Sequence, residues 1–418
     1  MTDVPDLLVR RLQDALGVAD VHRDAAVARY TTWRVGGPAA LLAVARDAEQ
    51  LRNAAEVVRD AGLPWLVLGR GSNVLVCDEG VRGVVIVNRA DALRIEGTTL
   101  WAESGALLSV LARRTTAAGL EGLEWCHDIP GSVGGAVVSN AGAHGSSMSD
   151  VLRRVRVLPP WGDAVDWDAA ALDFGYRRSI LREGQPSPPA RDDWPLGPSR
   201  GPTVQRALPA AGEGSMDGQH APPFPLHGTA PLLLEPGEGG LAATRQAGFD
   251  AGAHERADSD LPSPAHERAA PVSPSPAHGR GGWGVRVPVV LEAVCELRRA
   301  DTTEVQARMA AHRERRKRTQ PGGASAGSVF KNPPGDSAGR LIESLGLKGA
   351  RHGDATISDV HANFIVGGPR ATAADVVALV ALARRRVRAA YGLSLEPEIQ
   401  YVYPDGHVGP PSLENPEE

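Results

Sequence analysis

The sequence predicts an α+β fold arranged in two or three domains, and three observations support this prediction. The chain has 418 residues, of which 42% are hydrophobic and 23% charged, which is enough for more than one core. Helical and strand periodicities occur on both sides of a long interruption. That interruption, residues 183–284, is rich in Pro, Gly, Ala, Ser and Arg and lacks apolar periodicity. Because it cannot bury enough surface to offset chain entropy, we expect a disordered insert.

The first ordered part is expected to begin as a βαβ unit. A short strand at 41–44 is followed by an amphipathic helix at 47–59 and a second strand at 63–68. Short apolar runs at 74–76 and 84–87, separated by Gly and Asp, then predict meandering strands.

Further elements are expected on both sides of the insert. They are a helix at 107–118, a glycine-rich loop at 131–145, a hairpin from 151–158 and 165–168, a strand at 287–297, a basic helix at 303–318 and an α/β portion at 339–403.

Composition and charge exclude several classes of protein. The net charge of −5 gives no general attraction to nucleic acid or anionic membrane. Residues 1–17 do not resemble a secretory signal, and no run approaches the roughly 18 apolar residues of a membrane span. Cys77, Cys126 and Cys295 are widely separated, which fits a reducing compartment. We therefore expect a cytoplasmic protein without a nucleic-acid or membrane partner. We also expect a monomer.

Histidine-containing near-repeats occur in the insert, at 253–256, 264–268 and 276–280. They could suggest a metal site, but their spacing is too long and no Cys or carboxylate cluster accompanies them. We interpret them as duplicated low-complexity sequence and expect no metal.

Three glycine-rich loops dominate the first half of the chain. Residues 68–73 directly follow a predicted strand, where glycines let consecutive N–H groups point at a phosphate. Their spacing is not the GxGxxG that opens a helix, which disfavours a Rossmann fold. Residues 129–136 and 140–145 are denser in Gly and Ala. Such a surface suits a long planar or pyrophosphate ligand, although a tight packing turn is the alternative.

Seven motifs in order resemble the UDP-N-acetylenolpyruvoylglucosamine reductase family, over all of the chain except the insert and the two tails. They are TTWRVGGP at 31–38, GRGSN at 69–73, IPGSVGGA at 129–136 with NAGAHG at 140–145, FGYRRS at 174–179, AGSVFKNP at 326–333, GLKG at 346–349 with HANFIV at 361–366, and LEPEI at 395–399.

The resemblance implies an FAD-binding fold of the vanillyl-alcohol-oxidase type in two subdomains, with a smaller α/β substrate-binding domain. The expected divisions are an N-terminal segment 1–29, FAD-binding subdomains 30–70 and 71–182, the insert 183–284, a return strand 285–302, the substrate domain 303–407 and a disordered tail 408–418.

The resemblance also implies the chemistry. NADPH would pass hydride to non-covalently bound FAD, and the reduced flavin would pass it to the β-carbon of an enolpyruvyl UDP-sugar. A proton would then reach the α-carbon, which gives UDP-N-acetylmuramate for peptidoglycan synthesis.

Three residues match the family's catalytic positions. Arg177 would stabilise negative charge that develops on the substrate carboxylate, although a surface salt bridge is the usual role of an arginine. Ser328 would donate the proton, helped by Lys331 or a water. Ser325 lies close by in the sequence and is assigned no role. Glu398 would act as an acid if burial raises its pKa. Glu396 lies on the same strand face by period two, and the pattern alone does not separate the two glutamates.

The resemblance also implies binding residues. Those for FAD are Arg34, Gly36, Gly37, Leu68, Gly69, Arg70, Gly71, Ser72, Asn73, Ile129, Pro130, Gly131, Ser132, Gly134, Gly135, Asn140, Gly142 and Ala143. Those for the substrate are Tyr176, Lys331, Asn332, Lys348 and His361, with a satisfied core histidine as the alternative for His361. The basic run 313–318 is interpreted as a solvated helix that adds charge near the phosphate entry.

Two other functions stay open at this point. Another oxidoreductase of the same flavin fold, such as an oxidase of sugars or alcohols, would have a larger cap domain and often a histidine or cysteine that holds the flavin covalently; His127 and His144 keep that possibility open. A non-catalytic nucleotide-binding protein would follow if the insert, which begins within about six residues of Arg177, had ruined the site. The presence of Arg177, Ser328 and Glu398 together argues against the second possibility.

Overall fold

The computed structural model describes residues 4–160, 162–183 and 288–412. The insert beyond Glu183, its histidine repeats and the last six residues of the chain lie outside the described residues. None of the described helices is long and apolar enough to cross a membrane.

The described residues form eight α-helices and nineteen strands. The helices are α1 Asp6–Leu16, α2 Ala48–Ala61, α3 Leu108–Ala117, α4 Val133–Ser139, α5 Ile180–Glu183, α6 Thr302–Thr319, α7 Ala338–Ser344 and α8 Ala373–Tyr391. The strands are β1 Val21–Ala26, β2 Pro38–Ala45, β3 Trp65–Leu68, β4 Val74–Val76, β5 Val81–Asn88, β6 Leu93–Glu96, β7 Thr99–Glu103, β8 Leu120–Glu121, β9 Gly142–Ala143, β10 Ser146–Ser147, β11 Leu152–Leu158, β12 Val165–Asp168, β13 Val289–Glu296, β14 Arg298–Arg299, β15 Arg351–His352, β16 Ala355–Ile357, β17 Ile365–Gly367, β18 Gln400–Val402 and β19 Val408–Gly409.

The first sheet contains the predicted βαβ unit. Its strand order is β1-β2-β5-β3, and β2 and β3 both run parallel to β5 between them. Helix α2 joins β2 to β3 and buries Leu51 and Val58. It begins where the Asp47 side chain accepts a hydrogen bond from Gln50 N, and it ends at Gly62, whose φ is 67°.

The second sheet is antiparallel, with strand order β12-β11-β13-β7-β6. The predicted hairpin is β11 and β12, which pair from Arg154 with Asp168 to Val157 with Val165. Strand β13, which follows the insert, lies between β11 and β7, so the chain returns to the middle of this sheet.

One expected loop contains a helix. We expected residues 131–145 to be a glycine-rich loop, but Val133–Ser139 form α4. Val133, Ala136 and Val137 have the i, i+3, i+4 spacing of one helical face, and all three are buried against the second sheet. The absence of a side chain at Gly134 allows its N–H to donate to Ser104 O at 2.7 Å.

The C-terminal part forms a third core, in which α7 and α8 pack with the small sheet β15-β16-β17. Two contacts tie it to the first half of the chain. The Asp78 carboxylate accepts from Ala373 N and Ala374 N at the start of α8, at 2.7 and 2.9 Å. Strand β18 pairs in parallel with β4.

Several of the observed sheets cross the expected domain boundaries. The first sheet extends from β1 to β5, so it includes part of the expected segment 1–29 and continues past residue 70. Strand β18, expected in a separate domain 303–407, joins β4. The expected disordered tail begins with β19, which pairs with β18. The reason is that neither motifs nor periodicity identify the partner with which a strand pairs.

Candidate active site

A single cleft of about 1100 Å³ collects most of the predicted site residues. Its walls come from the loop after β3, from α4 with the loop before it, and from the loop at 320–328. Arg177 and Glu398 also line it. The three residues predicted to be catalytic, Arg177, Ser328 and Glu398, therefore share one cavity.

The loop after β3 is held by backbone contacts. Gly71 has a φ of +60°, and a Cβ added there would lie 2.4 Å from Tyr30 O, so only glycine fits without a shift. Its carbonyl accepts from Thr32 N at 3.1 Å. Arg89 Nη1 donates to Gly69 O at 2.7 Å. These contacts fix the shape of the loop at the cleft.

The α4 wall presents bare backbone to the cleft at Gly135. Gly135 is exposed in the cleft, and a Cβ added there would meet only Ser132 Oγ, at 3.7 Å. Nearby, Arg70 Nε is buried without a hydrogen-bond partner among the described residues. An open backbone surface next to an unpaired guanidinium N–H fits a large ligand with a planar ring and a diphosphate.

Arg177 stands at the tip of a tight turn. Gly175 and Arg178 exchange two backbone hydrogen bonds of 3.1 Å, and Arg177 between them has a φ of 57°. The turn is anchored on α4, because Asn140 Nδ2 donates to Gly175 O at 3.0 Å and Ser179 Oγ donates to Val138 O at 2.6 Å. These contacts hold the turn against α4 and so fix the position of Arg177.

Arg177 and Glu398 form an ion pair, with Nε 2.7 Å from Oε1. Only 12% of the Glu398 side chain is exposed, and this burial raises its pKa, although the charges of Arg177, Arg182 and Lys331 oppose the rise. The Glu396 side chain is 68% exposed and pairs with Lys331 Nζ instead. The structure thus separates two glutamates that the sequence pattern could not.

Ser328 lies on the same cleft, and its segment is tied to Glu398 and to Asn363. Glu398 N donates to Val329 O at 2.8 Å. The buried Asn363 amide holds Phe330 by both backbone groups, because Nδ2 donates to Phe330 O and Oδ1 accepts from Phe330 N. The sequence placed Asn363 in a motif, but only its side-chain contacts reveal that it supports the Ser328 loop.

Four residues predicted to bind FAD lie off the cleft. Gly36 packs against Val76, and Gly37 N donates to Cys77 O at 2.9 Å, so both serve close backbone packing. Arg34 has a φ of 58° in the same segment. Asn140 supports the Arg177 turn, as described above. The other predicted FAD-binding residues all line the cleft.

The predicted substrate residues are not among the residues that line the cleft, and each has a local contact. Tyr176 is exposed at the turn, with Arg177 over its ring. Asn332 Oδ1 accepts from Ala338 N at the start of α7. Lys348 pairs with Glu343 at 2.6 Å. His361 Nδ1 accepts from Asn363 N, and burial lowers its pKa.

Several cleft residues were missed by the sequence analysis. Arg182 on α5 and Arg316 on α6 both line the cavity, and burial lowers the pKa of Arg316. Arg316 belongs to the basic run noted in the sequence, whereas no pattern distinguishes Arg182 from other arginines.

The two histidines considered for a covalent flavin link have other contacts. His127 pairs with Asp128 at 2.8 Å, and the His144 ring stacks on that of His312 with ring centroids 4.0 Å apart.

Comparisons with known proteins agree with this geometry. A family model described as an FAD binding domain matches residues 39–168. A second, described as the C-terminal domain of UDP-N-acetylenolpyruvoylglucosamine reductase, matches residues 319–402.

Whole-chain relatives extend the match. The reductase of that name from Chloroflexus aggregans is 33% identical over 90% of this chain and 95% of its own length. The one from Bacillus velezensis is 30% identical over 94% and 98%. The crystal structure of the Thermus caldophilus enzyme superposes with a TM-score of 0.59 at 31% identity, over 91% of this chain and 98% of its own. These matches confirm the predicted FAD-binding α+β fold, and the chain belongs to the UDP-N-acetylenolpyruvoylglucosamine reductase family of FAD-dependent oxidoreductases.

Proposed function

We propose that the protein reduces the enolpyruvyl ether of UDP-N-acetyl-3-O-(1-carboxyvinyl)-glucosamine to UDP-N-acetylmuramate, with NADPH as reductant and FAD bound non-covalently. The single observation that carries this proposal is the meeting of Arg177, Glu398 and the Ser328 loop on one glycine-walled cleft. The names of the relatives support the choice of substrate.

The chain's own residues suit the cofactor. The exposed backbone at Gly135 and the unpaired Nε of Arg70 would hold the ring system and diphosphate of FAD. When bound, FAD carries hydride from the nicotinamide to the substrate. The protein's part is to align the substrate and to manage charge and protons.

Arg177 would bind the carboxylate of the enolpyruvyl group. Hydride addition at the β-carbon moves electrons toward that carboxylate, and a fixed guanidinium stabilises the charge that develops. Without substrate, Arg177 is paired with Glu398. Burial raises the pKa of Glu398, which favours its protonated form; in that form Glu398 would release Arg177 and donate a hydrogen bond to the substrate carboxylate.

Ser328 would donate its hydroxyl proton to the α-carbon, and the C–H bond forms there as the O–H bond breaks. The alkoxide then needs a proton from a relay. Lys331 is engaged with Glu396 and is not among the cleft-lining residues, which favours a water over Lys331 as that relay.

Half-reactions of the purified protein test the proposal. NADPH should bleach the flavin, and only the enolpyruvyl UDP-sugar should restore its colour under anaerobic conditions. Acid should release the flavin intact. Reoxidation by simple sugars or alcohols, or retention of flavin after acid, would instead identify another oxidoreductase of this fold.

We also propose that the protein acts as a monomer in the cytoplasm. The scattered cysteines support a reducing compartment, and all three are buried. Sedimentation at the concentration used for the assays would test the oligomeric state.

A further inference from the structure

The guanidinium of Arg182 joins the backbones of two residues that are 221 positions apart in the chain and that we assign to catalysis. Its Nη1 donates to Arg177 O at 3.0 Å, and its Nη2 donates to Glu398 O at 2.9 Å. Arg182 lies on α5 and lines the same cleft. The two carbonyls therefore share one rigid, planar donor.

At the first of these carbonyls, Arg182 supports an unfavourable conformation. Arg177 has a φ of 57°, a left-handed conformation that residues other than glycine rarely adopt. Such a conformation persists only where neighbouring contacts hold it. The bond from Arg182 to Arg177 O is one of those contacts, and it acts on the residue whose side chain must meet the substrate.

At the second carbonyl, Arg182 acts together with the glycine loop. Glu398 O also accepts from Asn73 Nδ2 at 3.2 Å, and Gln400 N donates to Asn73 O at 2.9 Å. The segment that carries Glu398 is thus fixed both to the loop after β3 and to Arg182.

We infer that Arg182 is a positioning residue that sets the alignment of Arg177 and Glu398 for reduction of the substrate. This inference rests on the proposed function. Two carbonyls in different directions require two separate N–H donors in a fixed plane, which arginine has. Lysine keeps the charge but presents it at a single atom on a flexible side chain. It would therefore not fix the two carbonyls relative to each other.

The experiment compares Arg182→Lys and Arg182→Met with the matched control Arg178→Met. Arg178 belongs to the same turn, but its side chain pairs with the exposed Asp173 at 3.0 Å. For each variant, FAD content, melting temperature, flavin reduction by NADPH and reoxidation by the enolpyruvyl UDP-sugar are measured separately.

For Arg182→Lys we expect wild-type FAD content and flavin reduction within about twofold, but reoxidation at saturating substrate slowed by about 10- to 100-fold, the loss typical of a small misplacement. Arg182→Met should slow reoxidation at least as much. Because the Arg182 charge lowers the pKa of Glu398, only the Met variant should also shift the pH profile of reoxidation upward. Arg178→Met should behave as wild type.

Two results would overturn the inference. One is wild-type reoxidation in both Arg182 variants. The other is a parallel loss of melting temperature, FAD and both half-reactions in Arg182→Lys, which would indicate a purely structural role. If the wild-type protein itself is not reoxidised by the sugar, the proposed function fails instead, so the two failures are distinguishable.

Discussion

Glu396 and Glu398 differ in what their neighbours allow. They are two residues apart in an extended segment, but Glu398 is enclosed beside Arg177 whereas Glu396 faces solvent and Lys331. Period-two patterning predicts that both side chains point to one side of the segment. It contains no information on which part of that side is covered, so the distinction depended on packing from the Arg177 turn.

The proton step depends on Ser328. Ser328→Ala should leave flavin reduction by NADPH intact and slow reoxidation by the enolpyruvyl UDP-sugar about 10²- to 10⁴-fold, because a positioned proton donor contributes that much. Stopped-flow absorbance of the flavin measures both steps. Ser325→Ala, in the same loop, is the control and should stay within about tenfold of wild type. Equal reoxidation rates in Ser328→Ala and wild type would remove Ser328 from the mechanism.

Reoxidation should depend on pH through Glu398. Burial raises its pKa, so the protonated form persists to higher pH than in an ordinary glutamate, and reoxidation should fall as pH rises through that pKa. The same proton stabilises the fold below the unfolded-state pKa, and this contribution is lost as pH rises through the folded-state pKa. Glu398→Gln, which does not titrate, should lose this limb of the rate profile. An unchanged limb in Glu398→Gln would show that another group is responsible.

At the scale of elements, α4 was predicted as a loop because glycine density outweighed the helical spacing of its three buried residues. Gly134 and Gly135 are poor helix formers, so propensity favours a loop. Two requirements explain their presence. Gly134 lets the helix approach Ser104, and Gly135 leaves the cleft wall bare. The requirement at Gly134 is packing between protein atoms, whereas the bare backbone at Gly135 indicates a bound ligand.

Substitution of Gly135 should therefore have opposite effects on the stability of the apoprotein and on FAD binding. Gly135→Ala should stabilise the apoprotein by about 0.5–1 kcal/mol, because alanine is the better helix residue and its Cβ meets no close protein atom. It should nevertheless weaken FAD binding, since the methyl group enters the cleft. Urea unfolding of the apoprotein and a flavin titration measure the two effects.

Gly134→Ala is the matched control for that pair of effects. Its Cβ would lie 3.1 Å from Ser104 Cβ, so it should destabilise the apoprotein itself. Undiminished FAD affinity in Gly135→Ala would show that the α4 wall does not contact the cofactor.

At the scale of the whole molecule, the sequence predicted most elements but not their assembly. Helix α2 with its Asp47 cap and the β11–β12 hairpin could be predicted, because local patterns specify them. The insertion of β13 between β11 and β7, and the pairing of β18 with β4, could not. Those partners are chosen by long-range packing, which a periodic pattern does not record. The motifs located the site because they indicated the family. They did not predict how the site residues are arranged.

The insert should be dispensable for turnover. Lengthening a loop from about 6 to about 100 residues costs about 2.5 kcal/mol of closure entropy, which a domain stable by roughly 5–15 kcal/mol tolerates. Leu181 and Arg182 before it and Pro288 and Val289 after it line the same cleft, so the flanks belong to one site. A variant in which a short Gly/Ser linker replaces residues 184–284 should keep kcat within about threefold and gain stability of the size just given. Loss of turnover with normal FAD content would show that the insert contributes to the site.

The most direct test of the central claim is a single anaerobic turnover. The FAD-loaded protein is reduced by one equivalent of NADPH and mixed with the enolpyruvyl UDP-sugar, while flavin absorbance is followed and the product is identified by mass. We expect full recovery of oxidised flavin and one UDP-N-acetylmuramate per flavin, with Arg177→Met reduced normally but reoxidised slowly. Reduced flavin that stays reduced in the presence of this sugar would contradict the claim.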